Sequence, residues 1–285
     1  MTDPGFCVRP ITYDDRQMVA NLIHFEQYVH CHLDWRPPLD WIDRSPYLVG
    51  TKNGKIEAVL ACPANPPEIA WIRLFAVSSY VNLQDSWEEL WSSALADLWI
   101  RQYYLIAAIP LHNWFKKILQ ENKFKIINQV VTLVWESDRL PDHREVSHMT
   151  IREMTHRDLP GVASVDVAAF SPLWCYAQDT LALAFDHTII ASVAEVDDLI
   201  VGYQISTVNH SGGHLARLAV LPGYQGQGIG YQLLRDELDQ FQKRGIHRIT
   251  VNTQQDNLGS LALYEHTGFK SNGENYPVFQ YQLIK

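Results

Sequence analysis

Between residues 228 and 243, Ile229, Leu233, Leu234, Leu238 and Phe241 recur at intervals that suit one face of a helix. Polar residues fill the gaps, and Gly245 follows as the stop. The same reading places helices at 158–170 and 258–267, and strands near 149–153, 188–194, 199–207, 214–221, 247–253 and 278–284. In the first half, Trp87, Leu90, Trp91, Ala94, Leu95 and Leu98 also keep helical spacing and predict a buried stripe. Eight of the nine tryptophans precede residue 140, so that half puts its aromatic bulk into a core. Trp35, Trp41 and the loop 36–41 are left to wall a pocket or to form a homodimer surface.

The pattern occurs twice. "VRPITYDD" at 8–15 matches "IREMTHRD" at 151–158, with Thr12 and Thr155 separated by 143 residues. Thr-x-x-Asp starts a helix, because the hydroxyl caps free N–H groups and the acid suits the helix dipole. "WIRLFAVSSY" at 71–80 matches "HLARLAVLPGY" at 214–224, and "ILQENKFKIINQ" at 118–129 matches "LYEHTGFKSNGE" at 263–274. Three matches in one order predict a duplication: domains at 1–140 and 147–285, joined by the polar stretch 136–148.

Composition narrows the class. The chain has 285 residues, 47% hydrophobic and 19% charged, which is a globular balance with room for two cores. A net charge of -9 argues against a nucleic-acid partner, which needs a basic stripe. No apolar run approaches the roughly 20 residues of a membrane span, and the first residues lack an apolar signal core. Cys7, Cys31, Cys62 and Cys175 are scattered and suggest free thiols, so a cytoplasmic protein is expected. His30-Cys31-His32 has no second ligand pair at useful spacing, and no metal site is expected.

The chemistry concentrates at "LPGYQGQGIGYQLL", 221–234, where a strand runs through four glycines into a helix. Such a loop aims successive N–H groups at one point, and the helix start adds positive charge, which suits a phosphate. The spacing fits neither the dinucleotide fingerprint nor the Walker loop. The pattern is Gln225-x-x-Gly228-x-Gly230. With its flanking strand and "NTQQDNLGSLALYEHTGF" at 252–269, it resembles the GNAT acetyltransferase superfamily. The likeness is strong over 149–285 and only architectural over 5–136.

The resemblance implies a mixed α/β fold, two tandem domains around splayed, mostly antiparallel sheets. It implies acetyl-CoA as co-substrate and an amine-bearing small molecule or peptide as acceptor. The amides of Gly226, Gln227, Gly228, Ile229, Gly230 and Tyr231 would hold the CoA diphosphate, with Gln225 opening the motif. Leu218, Ala219 and Val220 would pair with pantetheine like an added strand, and Asn257 would contact it. Tyr264 matches the general acid.

Direct transfer needs a neutral amine, a donor for the oxyanion and a proton for the thiolate. The backbone N–H of Val220 or Leu221 is placed for the oxyanion, and a phenol stays protonated at pH 7 while able to protonate a thiolate. No acyl-enzyme is needed. Some relatives carry a glutamate base where Asn252 stands here; Glu195, His210 and His214 are substitutes, and His214 opens the strand leading to the loop. The first half lacks the motif, with Val81, Gln84 and Ser86 where Gln225, Gly228 and Gly230 stand, so no CoA is expected there. The alternative is a CoA- or acyl-CoA-binding sensor or interaction module without turnover.

Overall fold

The computed structural model describes residues 5–65, 69–103, 105–143, 146 and 148–283. The chain packs as two units: Met1–Ile127 with Tyr276–Lys285, and Asn128–Asn275.

The first unit contains strands β1 (Phe6–Pro10), β2 (Tyr28–Cys31), β3 (Tyr47–Lys52), β4 (Lys55–Ala61), β5 (Ile69–Trp71), β6 (Leu74–Val77) and β7 (Leu105–Ala108). Its helices are α1 (Arg16–Phe25), α2 (Leu83–Ile100) and α3 (Asn113–Glu121). An antiparallel sheet runs β1-β3-β4-β6-β2, while β5 pairs parallel with β7. The expected stripe of α2 is buried at Trp87, Leu90, Trp91, Ala94 and Leu98, with Leu95 partly so. These side chains pack with Phe75 and Phe115. Fully burying an apolar side chain of this size contributes about 1.5–3 kcal/mol, so the stripe is a main source of this unit's stability.

The second unit begins within β8 (Lys125–Glu136) and continues through β9 (Met149–Glu153), β10 (Ile190–Val196), β11 (Leu199–Asn209), β12 (Gly212–Val220) and β13 (Arg248–Gln254). Helices α4 (Leu159–Ala169), α5 (Gln178–Asp186), α6 (Ile229–Lys243) and α7 (Leu258–His266) accompany them. The final strand, β14 (Lys270–Gln282), continues past the unit boundary at 275/276. The sheet order is β8-β13-β12-β11-β10-β9, antiparallel throughout except for β12 with β13. Ile229, Leu233, Leu234, Leu238 and Phe241 are all buried on α6, as their periodicity requires. The short helix α5 was not expected; only Thr180, Leu181 and Ala184 are buried in it, too few to write a period.

Both units start with the same device. Arg9 holds Asp15 through two bonds of 2.7 and 2.8 Å, and the N–H of Thr12 donates to Asp15 Oδ2 at 2.8 Å. In the second unit Arg152 holds Asp158 at 2.8 and 2.7 Å, and Thr155 N–H donates at 2.7 Å. The mixed α/β duplication is therefore physical, down to individual hydrogen bonds.

The unit borders differ from the sequence boundaries. Residues 130–136 of β8 pair with 248–254 of β13, so 128–140 belong with the second unit. Phe279–Gln282 pair with Leu105–Ala108 of β7, so the C-terminal strand closes the first unit. Turn composition marks where the chain bends, whereas strand pairing decides which sheet a segment completes.

Candidate active site

The site grows from a sheet that opens. β12 pairs with β13 at only three rows: Gly213 with Ile249, His214 with Thr250, and Leu215 with Val251. Beyond Leu215 the two strands part, while β12 stays paired with β11 up to Val220. A bulge at Ala216 accompanies the parting, since Ile205 faces Arg217 but Ser206 faces Leu215. Bulges bend the strand that carries them.

Register shows which backbone groups face the opening. Leu221 N–H donates to Val201 O at 2.8 Å. Antiparallel partners alternate between bonded and non-bonded pairs, so Ala219 also turns its polar groups to β11. Leu218 and Val220 turn theirs to the other edge. Val220 O follows this direction, accepting Gln225 Nε2 at 3.0 Å from the loop. Leu221 thus leaves the set of oxyanion donors, because the sheet already uses its N–H. Ala219 contributes no backbone bond to the opening either. Leu218 and Val220 remain.

The strand then enters the glycine loop. Gly226 and Gly228 have φ of +74° and +86°, a region costly for other residues. Gly228 is the N-cap of α6, and the first rung of the helix runs from Gln232 N–H to its carbonyl at 3.0 Å. The amides of Ile229, Gly230 and Tyr231 precede that rung and point out of the helix end. A Cβ on Gly226 would meet nothing within 4 Å, whereas one on Gly228 would lie 3.2 Å from Val146. Gln225 and Gln227 brace the loop; the latter donates to Gly223 O at 3.1 Å. Ile229 is buried in the core, and Tyr231 donates to Asp142 O at 2.7 Å, so both offer the loop backbone rather than side chain. An open strand edge leading into uncapped helix amides fits an extended arm ending in a diphosphate.

Asn257 caps α7: Oδ1 accepts Ser260 N–H at 3.2 Å, while Nδ2 reaches Gln254 Oε1 only at 3.5 Å. Its Nδ2 keeps donor capacity for a ligand. Tyr264 is buried on α7 against Phe269, with ring centroids 5.6 Å apart. Burial pushes its phenol above the ordinary value; Glu237 adds to the rise and Arg217 opposes it. Of the expected bases, Glu195 is tied to Arg152, whereas His210 is exposed in the turn after β11. His214 Nδ1 lies 2.8 Å from Thr250 Oγ1.

Two buried networks escaped the sequence. Asp166 on α4 binds Arg217 Nε and Nη2 at 2.8 and 2.9 Å, and also accepts Tyr203 Oη and Tyr176 N–H. The guanidinium carbon lies 3.6 Å from the Phe170 centroid and 4.0 Å from that of Tyr176. Glu237 on α6 is fully buried, its pKa raised to about 8 by desolvation. Ser206 Oγ stands 2.6 Å from Glu237 Oε1 and 2.8 Å from Gln204 Oε1. One hydroxyl proton cannot serve both acceptors, so a protonated Glu237 completes the network. The available signal was polar residues at positions of the buried stripes, as with Glu237 beside Leu238.

Residues 151–269 match the family model described as the Acetyltransferase (GNAT) family. The chain is similar to the [ribosomal protein bS18]-alanine N-acetyltransferase of Escherichia coli K12, 28% identical over 120 residues, or 42% of this chain and 80% of that protein. Two solved structures share the whole-chain fold. A tandem GNAT protein from the clavulanic acid biosynthesis pathway matches with a TM-score of 0.64 and 11% identity, covering 97% of this chain and 98% of that one. A GCN5-related N-acetyltransferase from Sphaerobacter thermophilus matches with 0.61 and 14%, covering 99% and 97%.

Proposed function

We propose that the chain, whose residues 151–269 match the model of the GNAT family of acetyltransferases, is an acetyl-CoA-dependent N-acetyltransferase with its active site in the second unit. The observation that carries the reading is the unpaired edge of β12 running into an α6 end capped by glycine. Acetyl-CoA supplies the acyl group as a thioester. The amides of 226–231 hold its diphosphate, and Leu218 and Val220 offer the alternate donors and acceptors of a strand edge to pantetheine. Asn257 Nδ2 adds a donor near the arm.

Leu218 is the residue for the oxyanion. The arm starts at the loop and runs back along β12, so its far end lies beyond Val220. Leu218 is two residues further, about 6.6 Å at the usual rise. The amine then attacks the carbonyl directly; the C–N bond forms, the C–S bond breaks, and Tyr264 protonates the sulfur. Burial keeps Tyr264 fully protonated at neutral pH, and the same dry surroundings raise the affinity of a leaving thiolate for that proton.

The acceptor is an amine-bearing small molecule or peptide. The relative that acts on an alanine of a ribosomal protein makes a peptide α-amine the first class to test. The experiment is a thiol-release assay with acetyl-CoA and an alanine-initiated hexapeptide, spermidine and tyramine, beside calorimetric titration of acetyl-CoA. Binding and turnover are expected in the wild type, and no binding in Gly228→Trp. Unchanged affinity in that variant would refute the loop assignment.

A further inference from the structure

Direct transfer leaves one proton unassigned, the one the amine loses on attack. We infer that His214 Nε2 accepts it, with Thr250 as the positioning residue that aims the ring. This rests on the acetyl-transfer reading.

Three observations lead there. The first is the face. A Cβ on Gly213 would lie 2.8 Å from the Phe241 ring of α6, and Leu215, Ile249 and Val251 share the core with Leu234 and Phe241. Side chains alternate along a strand, so His214 and Thr250 stand on the opposite face, away from α6. Tyr264 lies in the α6 core. Acid and base therefore flank the opening from its two sides, as needed when an amine enters from one and a thiolate is protonated from the other.

The second is place. His214 and Thr250 form the middle of the three paired rows, one residue before β12 and β13 separate. Asn252, two residues along β13 on the same face, cannot act as a base, and its Oδ1 is engaged by Thr132 Oγ1 at 2.9 Å.

The third is the tautomer. Thr250 Oγ1 lies 3.3 Å from Gly213 O, which can only accept. With its single proton given there, Thr250 accepts from His214 Nδ1–H at 2.8 Å. The proton on Nδ1 leaves the Nε2 lone pair open. Burial lowers the pKa of His214, so the ring is neutral at pH 7 and ready to accept. Thr207 on β11 and Thr250 on β13 face it without charge. On its own strand the charged group of that face is Arg217, neutralised by Asp166 of α4. Glu237 of α6 is on the other face.

In the step, the amine nitrogen bonds to the carbonyl carbon and its proton passes to Nε2. Tyr264 gives its proton to the departing sulfur. The imidazolium proton then restores the phenol through water, so amine and thioester become amide and thiol with no other reactant.

The test combines kinetics and spectroscopy. His214→Asn keeps a donor for Thr250, and His214→Gln is a second variant should the first fold poorly. Loss of a general base costs about 100- to 10,000-fold in kcat; that loss is expected here, with acetyl-CoA affinity unchanged. The wild-type rate should fall as pH drops through a pKa below 6.5, and the variants should lack this limb. Long-range 1H–15N spectra should show the Nδ1–H tautomer. Wild-type kcat or a surviving acid limb in a folded variant, or the Nε2–H tautomer, overturns the assignment. If Tyr264→Phe slows the reaction while the His214 variants do not, the base falls and acetyl transfer stands. If the wild type releases no thiol with any of the three acceptors, both fall.

Discussion

The two units use the same frame and differ in what lies along one strand edge. In the first unit β5 and β7 pair in parallel at Ile69–Leu105, Ala70–Ile106 and Trp71–Ala107. The second unit repeats these rows 144 residues later, at Gly213–Ile249, His214–Thr250 and Leu215–Val251. Each chain then leaves its parallel partner. In the second unit Leu218 to Val220 have β11 on one side and, among the described residues, no strand on the other. In the first, β6 has β4 on one side and β2 on the other, with Tyr28 opposite Val77 and Cys31 opposite Leu74. A strand of the protein occupies the edge that its counterpart leaves free.

The helix starts differ in the same sense. Asn82 caps α2, its side chain accepting the N–H groups of Gln84 at 2.9 Å and Asp85 at 3.0 Å, and Asp85 adds negative charge. Gly228, with no side chain, leaves the α6 end bare. A buried arginine survives in both halves: Arg73 bound to Asp34 at 2.7 Å and Arg217 bound to Asp166. The frame is shared, while the strand edge and the helix start that stand open in one unit are satisfied internally in the other.

This contrast can be broken at several points. Calorimetry should find one acetyl-CoA per chain, and Gly228→Trp should take that to none; two sites in the wild type would end the distinction between the units. Tyr264→Phe should lower kcat by about 100-fold or more, the scale for a lost general acid, while acetyl-CoA affinity holds. Equal turnover would remove the acid role.

Stability should respond to pH in opposite ways. His30 in β2 is fully buried, with its pKa lowered to about 3 by desolvation, so the unfolded chain binds the extra proton below pH 6.5. The first unit should lose stability as pH falls from 6.5 towards 3. Glu237 is the reverse: the native state holds a proton that the unfolded chain gives up above about 4.5, so stability declines as pH rises towards 8. Each pKa unit corresponds to about 1.4 kcal/mol, so Glu237→Gln should stabilise the second unit by a few kcal/mol at pH 8 and flatten its slope. Hydrogen exchange between pH 5 and 8, followed separately in the two units, reads both signs. The smallest effect belongs to Asn82→Ala, which should cost about 1 kcal/mol as a lost cap without creating a second acetyl-CoA site; a thermal melt and a titration decide it.

Local rules settled much of this protein in the sequence alone. The α6 stripe, the Thr-x-x-Asp starts and the glycine loop each rest on spacing within one short segment, where neighbours in sequence are neighbours in space, and the duplication shows because such segments recur in the same order. Pairing across the sheet was not legible that way. Which amides of 218–221 face the opening depends on the bond from Leu221 to Val201, and the tautomer of His214 depends on Thr250, 36 residues away. The exchange of β8 and β14 between units, the strand lying along β6, and the proton held by Glu237 likewise arise from partners distant in the chain. Only the assembled sheet brings those groups within hydrogen-bonding distance and removes the water that would otherwise satisfy them.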